Sequence, residues 1–248
     1  ARWAFDKFSG VTDILGTQMK AVGEVMAIGK TYKEAFQKAI RSLENSRPGL
    51  GFAKDYASKD LTQLLSLLAT PTSERQYVLY EALRKGADID ILCRLTKIKR
   101  WYIEQMAELV ELENELLAAD AISDELLGRL KHDGFSDKYI AKLKHIDEAD
   151  VRRQRIAAGL TAAWESVPVS GVEGDARYYY STHHKSETSK VPVANTGSKK
   201  VMVLGSGPNR IGQGIEFDYC CVHAAFALRD MGYKTIMVNC NPETVSTD

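Results

Sequence analysis

Lys200-Val201-Met202-Val203-Leu204 runs directly into Gly205-Ser206-Gly207-Pro208-Asn209-Arg210-Ile211-Gly212-Gln213-Gly214. The first five residues are short and apolar, the pattern of a strand buried on both faces of a parallel sheet. The next ten hold four glycines. Glycine lets the backbone turn sharply and lets a ligand approach main-chain amides. Phe217 to Met231 then reads as a helix, with Tyr219, Val222, Phe226 and Leu228 among its apolar positions, and Gly232 stops it. Thr235-Ile236-Met237-Val238-Asn239-Cys240 is a second apolar strand. Together these make a βαβ unit with a right-handed crossover. Two parallel strands cannot cover both faces of a sheet, so the sequence reads as a piece of a longer chain.

The glycine turn leads to a helix N-terminus, which attracts anions. By itself it is also an ordinary tight strand-to-helix turn. The dinucleotide fingerprint wants a third glycine at position 210, where Arg210 stands. No Gly-Lys-Ser/Thr follows, which excludes a P-loop.

Upstream, the chain changes character. Residues 60–69, 73–85, 89–96, 99–119, 124–132, 137–144 and 148–158 show helical periodicity, with Asp88, Ser123, Ser136 and Asp147 as N-caps. Short connections predict a compact helical domain. A repeat lies within it: a shift of 48 residues carries Gly86 onto Gly134. Asp88 then matches Ser136, and Leu92, Leu95 and Ile98 match Ile140, Leu143 and Ile146. This is a duplicated helix–turn–helix unit whose shared apolar face says packing. Trp101, Tyr102 and Met106 belong to the core or to a subunit interface. Beyond Glu165 the helical period is lost, and 167–171 and 191–198 read as extended linker, with a short strand at 178–182 between them. His183 and His184 on an extended chain face opposite sides, which favours solvated residues over a metal pair.

At the other end, Val22 to Ile28 reads as a buried strand. Thr31 and Glu34 form a capping box for the helix carrying Ala35, Phe36, Ala39, Ile40 and Leu43, which Asn45 to Gly49 ends. This strand and helix have no sheet of their own. Glu24 reads as a polar edge residue.

The whole sequence is 248 residues, with 33 basic and 33 acidic side chains. That balance excludes a basic nucleic-acid binder, and the helical middle is slightly acidic, against a DNA-reading helix–turn–helix. No apolar run reaches the roughly 20 residues of a membrane helix, and no signal peptide is visible. The four cysteines (Cys93, Cys220, Cys221, Cys240) have no zinc spacing and read as reduced thiols in a cytoplasm. Cys220, Cys221 and His223 are read as packing residues of their helix.

The string from Gly205 to Tyr219, followed by Asn239-Cys240-Asn241-Pro242-Glu243-Thr244-Val245-Ser246-Thr247-Asp248, resembles the start of the carbamoyl-phosphate domain in the large subunits of carbamoyl phosphate synthetases. Arg2-Trp3-Ala4-Phe5-Asp6-Lys7-Phe8, with Gln18 to Gly29, resembles the end of that subunit's first ATP-grasp half. The helical middle falls where the family has its oligomerization domain. Two departures stand out: Ser206 replaces a glycine common in the family, and His183-His184 follows Tyr180-Ser181-Thr182.

The resemblance implies a mainly α fragment. Residues 1–45 would end the carboxyphosphate domain, 46–192 form a helical oligomerization domain, and 193–248 begin a parallel α/β (pre-ATP-grasp) domain. It implies an ATP-dependent ligase making carbamoyl phosphate, for arginine or pyrimidine synthesis, from bicarbonate, ammonia and two ATP. Its partners would be a glutaminase small subunit and further copies of itself, in the cytoplasm, with no nucleic acid and no membrane. MgATP or MnATP would serve the full enzyme, with no cofactor, metal ligand or catalytic carboxylate in this piece. By the same resemblance Gly205, Gly207, Pro208, Asn209, Arg210, Ile211, Gly212, Gln213, Gly214 and Glu216 border the carbamate passage. Gly214 would keep it open, and Arg210 and Glu216 would orient polar intermediates. Asn239, Asn241 and Thr244 would line the same strand end.

Two other readings compete. One is a helical self-association scaffold without catalysis. The other is a nicotinamide-binding module, which would need Gly at 210 and an acidic residue where Asn239-Cys240-Asn241 stands.

Overall fold

The structure, a computed structural model, describes residues 1–3, 5, 10–18, 20–52, 54–167, 179–186, 197–205, 209–210, 218–239 and 244–246, with backbone alone at 54–55 and 209–210. Strands β1 (Arg2–Trp3) and β2 (Ala21–Glu24) precede helix α1 (Tyr32–Ser42). A 3-10 helix (Lys54–Ser58) leads to α2 (Leu61–Leu68), α3 (Arg75–Arg84), α4 (Ile89–Thr96), α5 (Arg100–Ala118), α6 (Asp124–His132), α7 (Asp137–Lys144) and α8 (Glu148–Ala157). Then come β3 (Ala163–Ser166), β4 (Tyr179–Thr182), β5 (Lys200–Leu204), β6 (Asn209–Arg210), α9 (Tyr219–Asp230) and β7 (Lys234–Val238).

The duplication is realised in register. Asp88 caps α4 by accepting from the Ile91 amide, and Ser136 caps α7 by accepting from the Tyr139 amide. Gly86 and Gly134 both take positive φ, 78° and 89°. Lys97 and His145, again 48 apart, end α4 and α7 in the left-handed region. Gly134 is required twice over, since a Cβ there would also lie 3.0 Å from the Glu34 Cα. Ser123 and Asp147 cap α6 and α8 as the sequence predicts. Thr31 accepts from the Glu34 amide, but Glu34 reaches back to the Lys30 amide rather than to that of Thr31. A full capping box forms at Asp60 and Gln63.

Between the two units lies one core, with Leu92, Ile103, Leu109, Leu116, Leu127, Leu130, Tyr139 and Ile140 all sealed from water. Ile40 and Leu43 near the end of α1 join it. Inside it Glu113 is fully buried and accepts from the hydroxyls of Tyr80 (2.8 Å) and Tyr139 (2.7 Å), with the Arg84 Nε 2.7 Å away. One carboxylate thereby ties α3, α5 and α7. On the surface Met106 turns inward while Trp101, 52 % exposed, and Tyr102 pack edge-on against Tyr32 at 5.3 Å.

Three small sheets surround this body among the described residues: β1-β2-β6, β3-β4 and β5-β7. Only the last is parallel, pairing Lys200 with Lys234 through Leu204 with Val238. With α9 it forms the expected βαβ unit. The expectation of burial on both faces fails for β5: Met202 and Leu204 are 58 % and 71 % exposed, because α9 covers one face alone. On α9 it is Cys221, Val222, Ala225 and Leu228 that are half-buried, while Tyr219, Phe226, Cys220 and His223 are exposed. The packing role read for Cys220 and His223 is thus corrected.

Three further expectations change. The predicted strand at 22–28 stops at Glu24. It has a sheet after all, lying between β1 and β6. Residues 163–166, where no strand is predicted, form β3 and pair antiparallel with β4. His183 and His184 are half-buried rather than solvated, because this hairpin folds onto α1 and the α6–α7 turn. His184 stacks on His132 at 4.7 Å, and its Nε2 lies 2.9 Å from the His132 carbonyl.

Candidate functional site

The C-terminal edge of the β5–β7 sheet is where an open α/β unit presents ligand groups. Gly205 extends β5 by one rung, its amide donating to the Val238 carbonyl at 2.7 Å. Its glycine identity is a matter of space: a Cβ would lie 2.5 Å from the Asn239 Nδ2. Asn239 leaves β7 at the same level and donates to the hydroxyls of Thr244 (3.1 Å) and Ser246 (3.2 Å). Gly205, Asn239 and Thr244, expected at one strand end, therefore meet there.

Asp218 completes this cluster. It stands at the start of α9, fully buried, and its Oδ2 accepts from the Ser246 amide at 3.0 Å. Burial alone would push its carboxyl upward, but hydrogen bonds from Ser246, Thr244 and Cys221 outweigh that and hold it below the usual range. Its Oδ1 is buried without a partner among the described residues. The sequence reading passed over Asp218, and its one available signal was an acidic residue at a helix start. Cys221 lies beside it, and burial followed by this carboxylate pushes the thiol up, so it is a poor nucleophile. What the arrangement can do is brace Thr244 and Ser246 against the head of α9.

The Asn209 and Arg210 backbone forms β6, paired antiparallel with Glu24 and Gly23 of β2. Glu24 is exposed, but β2 is the central strand of that sheet, so the reading of Glu24 as an edge residue is corrected. Gly207, Pro208, Ile211, Gly212, Gln213, Gly214, Glu216 and Asn241 lie outside the described residues, as do the side chains of Asn209 and Arg210. Among the described residues no three His, Cys, Asp or Glu side chains converge as a metal site, and no helix is long and apolar enough to cross a membrane. Cys93, Cys220 and Cys221 are free thiols.

Comparison with known proteins gives two family matches. Residues 24–159 match the carbamoyl-phosphate synthetase large chain, oligomerisation domain. Residues 197–248 match the carbamoyl phosphate synthase preATP-grasp domain. Among relatives, the chain is 46% identical to the carbamoyl phosphate synthase large chain of Archaeoglobus fulgidus, covering 100% of this chain and 23% of that one. It is 47% identical to the corresponding protein of Deinococcus deserti, covering 100% and 24%. It is 46% identical to the arginine-specific large chain, chloroplastic, of Arabidopsis thaliana, covering 100% and 21%. The chain thus spans less than a quarter of the length of these relatives.

Proposed function

Because the chain belongs to the carbamoyl-phosphate synthetase large-chain family, we propose that it is the centre of such a large chain. In this reading residues 1–45 close the first synthetic half, 46–192 form the assembly domain, and 193–248 open the second half. The complete enzyme is an ATP-dependent ligase of the cytoplasm. It joins bicarbonate with ammonia, released from glutamine by a small subunit, at the expense of two ATP. MgATP or MnATP belongs to that complete enzyme. Among the described residues no cluster of His, Cys, Asp or Glu fits its metal.

This segment contributes two things. The helical domain supplies a surface for self-association, for which the exposed Trp101 and Tyr102 are the natural centre. The glycine turn borders the passage taken by carbamate. What supports this second role is the backbone pairing of Asn209–Arg210 with Gly23–Glu24, which joins the first and last segments of the chain. A conduit between two synthetic halves must run along such a junction. Gly205 and Asn239, braced by Asp218, Thr244 and Ser246, would fix its rim.

The test is Gly214→Leu in the complete enzyme. Bicarbonate-dependent ATP hydrolysis is expected to persist while carbamoyl phosphate formation is lost, because a bulky side chain blocks transit but not the first reaction. Parallel loss of both activities overturns the passage role.

A further inference from the structure

We propose that the cavity between α1, the α6–α7 turn and the β3–β4 hairpin binds a small doubly charged oxyanion of the size and charge of inorganic phosphate. The site is separate from the glycine turn, and its failure would leave the family reading untouched.

The cavity is about 90 Å³ and is lined by Lys38, Arg41, Lys131, Gly134, Thr182 and His183, among others. A water needs about 10–15 Å³, so several waters or one tetrahedral anion fit. Charge around it is unbalanced. The Lys38 Nζ donates to the carbonyls of Ile28 and Ser181, both at 2.6 Å, and lies 5.7 Å from the centre of the Tyr180 ring, so one of its three protons makes no hydrogen bond among the described residues. The Arg41 guanidinium donates through Nη1 to the Gly134 carbonyl and makes no other hydrogen bond among the described residues. Neither cation forms an ion pair there. Lys131 is buried and bonded to Asp137 at 2.7 Å, but Asp137 is shared with Arg155 at 2.9 Å. Of the remaining carboxylates, Glu34 accepts from the Lys30 amide and its charge acts on both Lys38 and Arg41, while Asp133 pairs with Lys33, which Glu108 also pairs. Four cations (Lys38, Arg41, Lys131, Arg155) thus face two carboxylates, Glu34 and Asp137.

The neighbouring histidine registers this excess. Burial first, then Lys131 and Arg155, push His183 down to about 4. Burial likewise lowers Lys38 and Arg41. Half-buried cations that outnumber the carboxylates around them are costly, and a dianion bridging Lys38 and Arg41 would supply the missing charge with charge-assisted hydrogen bonds. Gly134 holds this wall in place, since its positive φ and its contact with α1 admit no side chain.

The experiment titrates the intact chain at pH 7 with inorganic phosphate, against sodium chloride at matched ionic strength, and follows the Gly134 amide and the His183 ring by NMR. Saturable shifts with phosphate but not chloride are expected. Arg41→Gln and Lys38→Met should each weaken the affinity tenfold or more. A methyl phosphate arm distinguishes the source. Equal affinity means that the site accepts the terminal phosphate of a larger ligand, and rejection means that it takes the free anion; either result supports an oxyanion site. Shifts that never saturate, or that chloride reproduces, overturn it. So does wild-type affinity in both variants. If a variant fails to fold by circular dichroism, the wild-type titration decides alone.

Discussion

Glu113 is fully enclosed, and its stability depends on three partners arriving from two other helices. Removing the carboxylate strands two tyrosine hydroxyls and leaves the Arg84 guanidinium with Glu81 as its remaining carboxylate. Glu113→Ala is therefore expected to cost about 3–5 kcal/mol in urea unfolding, and a loss below about 1 kcal/mol would contradict the network. His183 makes a different prediction. Its folded pKa is about 4, against an ordinary 6.5. Between those values the unfolded chain binds more protons, so stability is full above pH 6.5 and declines as the pH falls toward 4. Asp137, held low against Lys131 and Arg155 despite its burial, adds a further loss below pH 3.8. Melting temperatures at pH 7 and 4.5 should differ more in the native protein than in His183→Gln. Neither residue was legible beforehand. A lone Glu in a helix and a His beside another His carry no mark of what will fold over them.

The elements were far more legible, and the reason is locality. Caps, left-handed ends and the apolar stripe of the duplicated unit are decided within four residues, and Asp88, Ser136, Gly86 and Gly134 all do what their chemistry requires. Asp88→Ala and Ser136→Ala should each cost about 1 kcal/mol. They sit in separate copies of the unit, so the double variant should lose the sum; thermal denaturation of all three checks this. Where the sequence reading failed, pairing was remote. β3 alternates half-buried and exposed residues without an apolar run, and the two-residue β6 is a strand only because β2 lies beside it.

At the scale of the molecule, the helical body closes on one core while the βαβ unit buries no residue of α9. The helical domain also carries an aromatic surface centred on Trp101 and Tyr102, beside Tyr32 and Phe36. If that surface mediates assembly, sedimentation velocity should show mass rising with concentration, and Trp101→Glu should return a monomer. A strict monomer at high concentration removes that role. The candidate site was legible at Gly205, Asn239 and Thr244 through the family resemblance of the strings that hold them. Its brace at Asp218 and its seat on β2 emerge only in three dimensions. That seat has a topological corollary. Because Gly23 and Arg210 are neighbours across a sheet, everything between them is an excursion that leaves and returns at one place. The helical body can in principle be enlarged, shrunk or exchanged like a cartridge without moving the two strands that frame it.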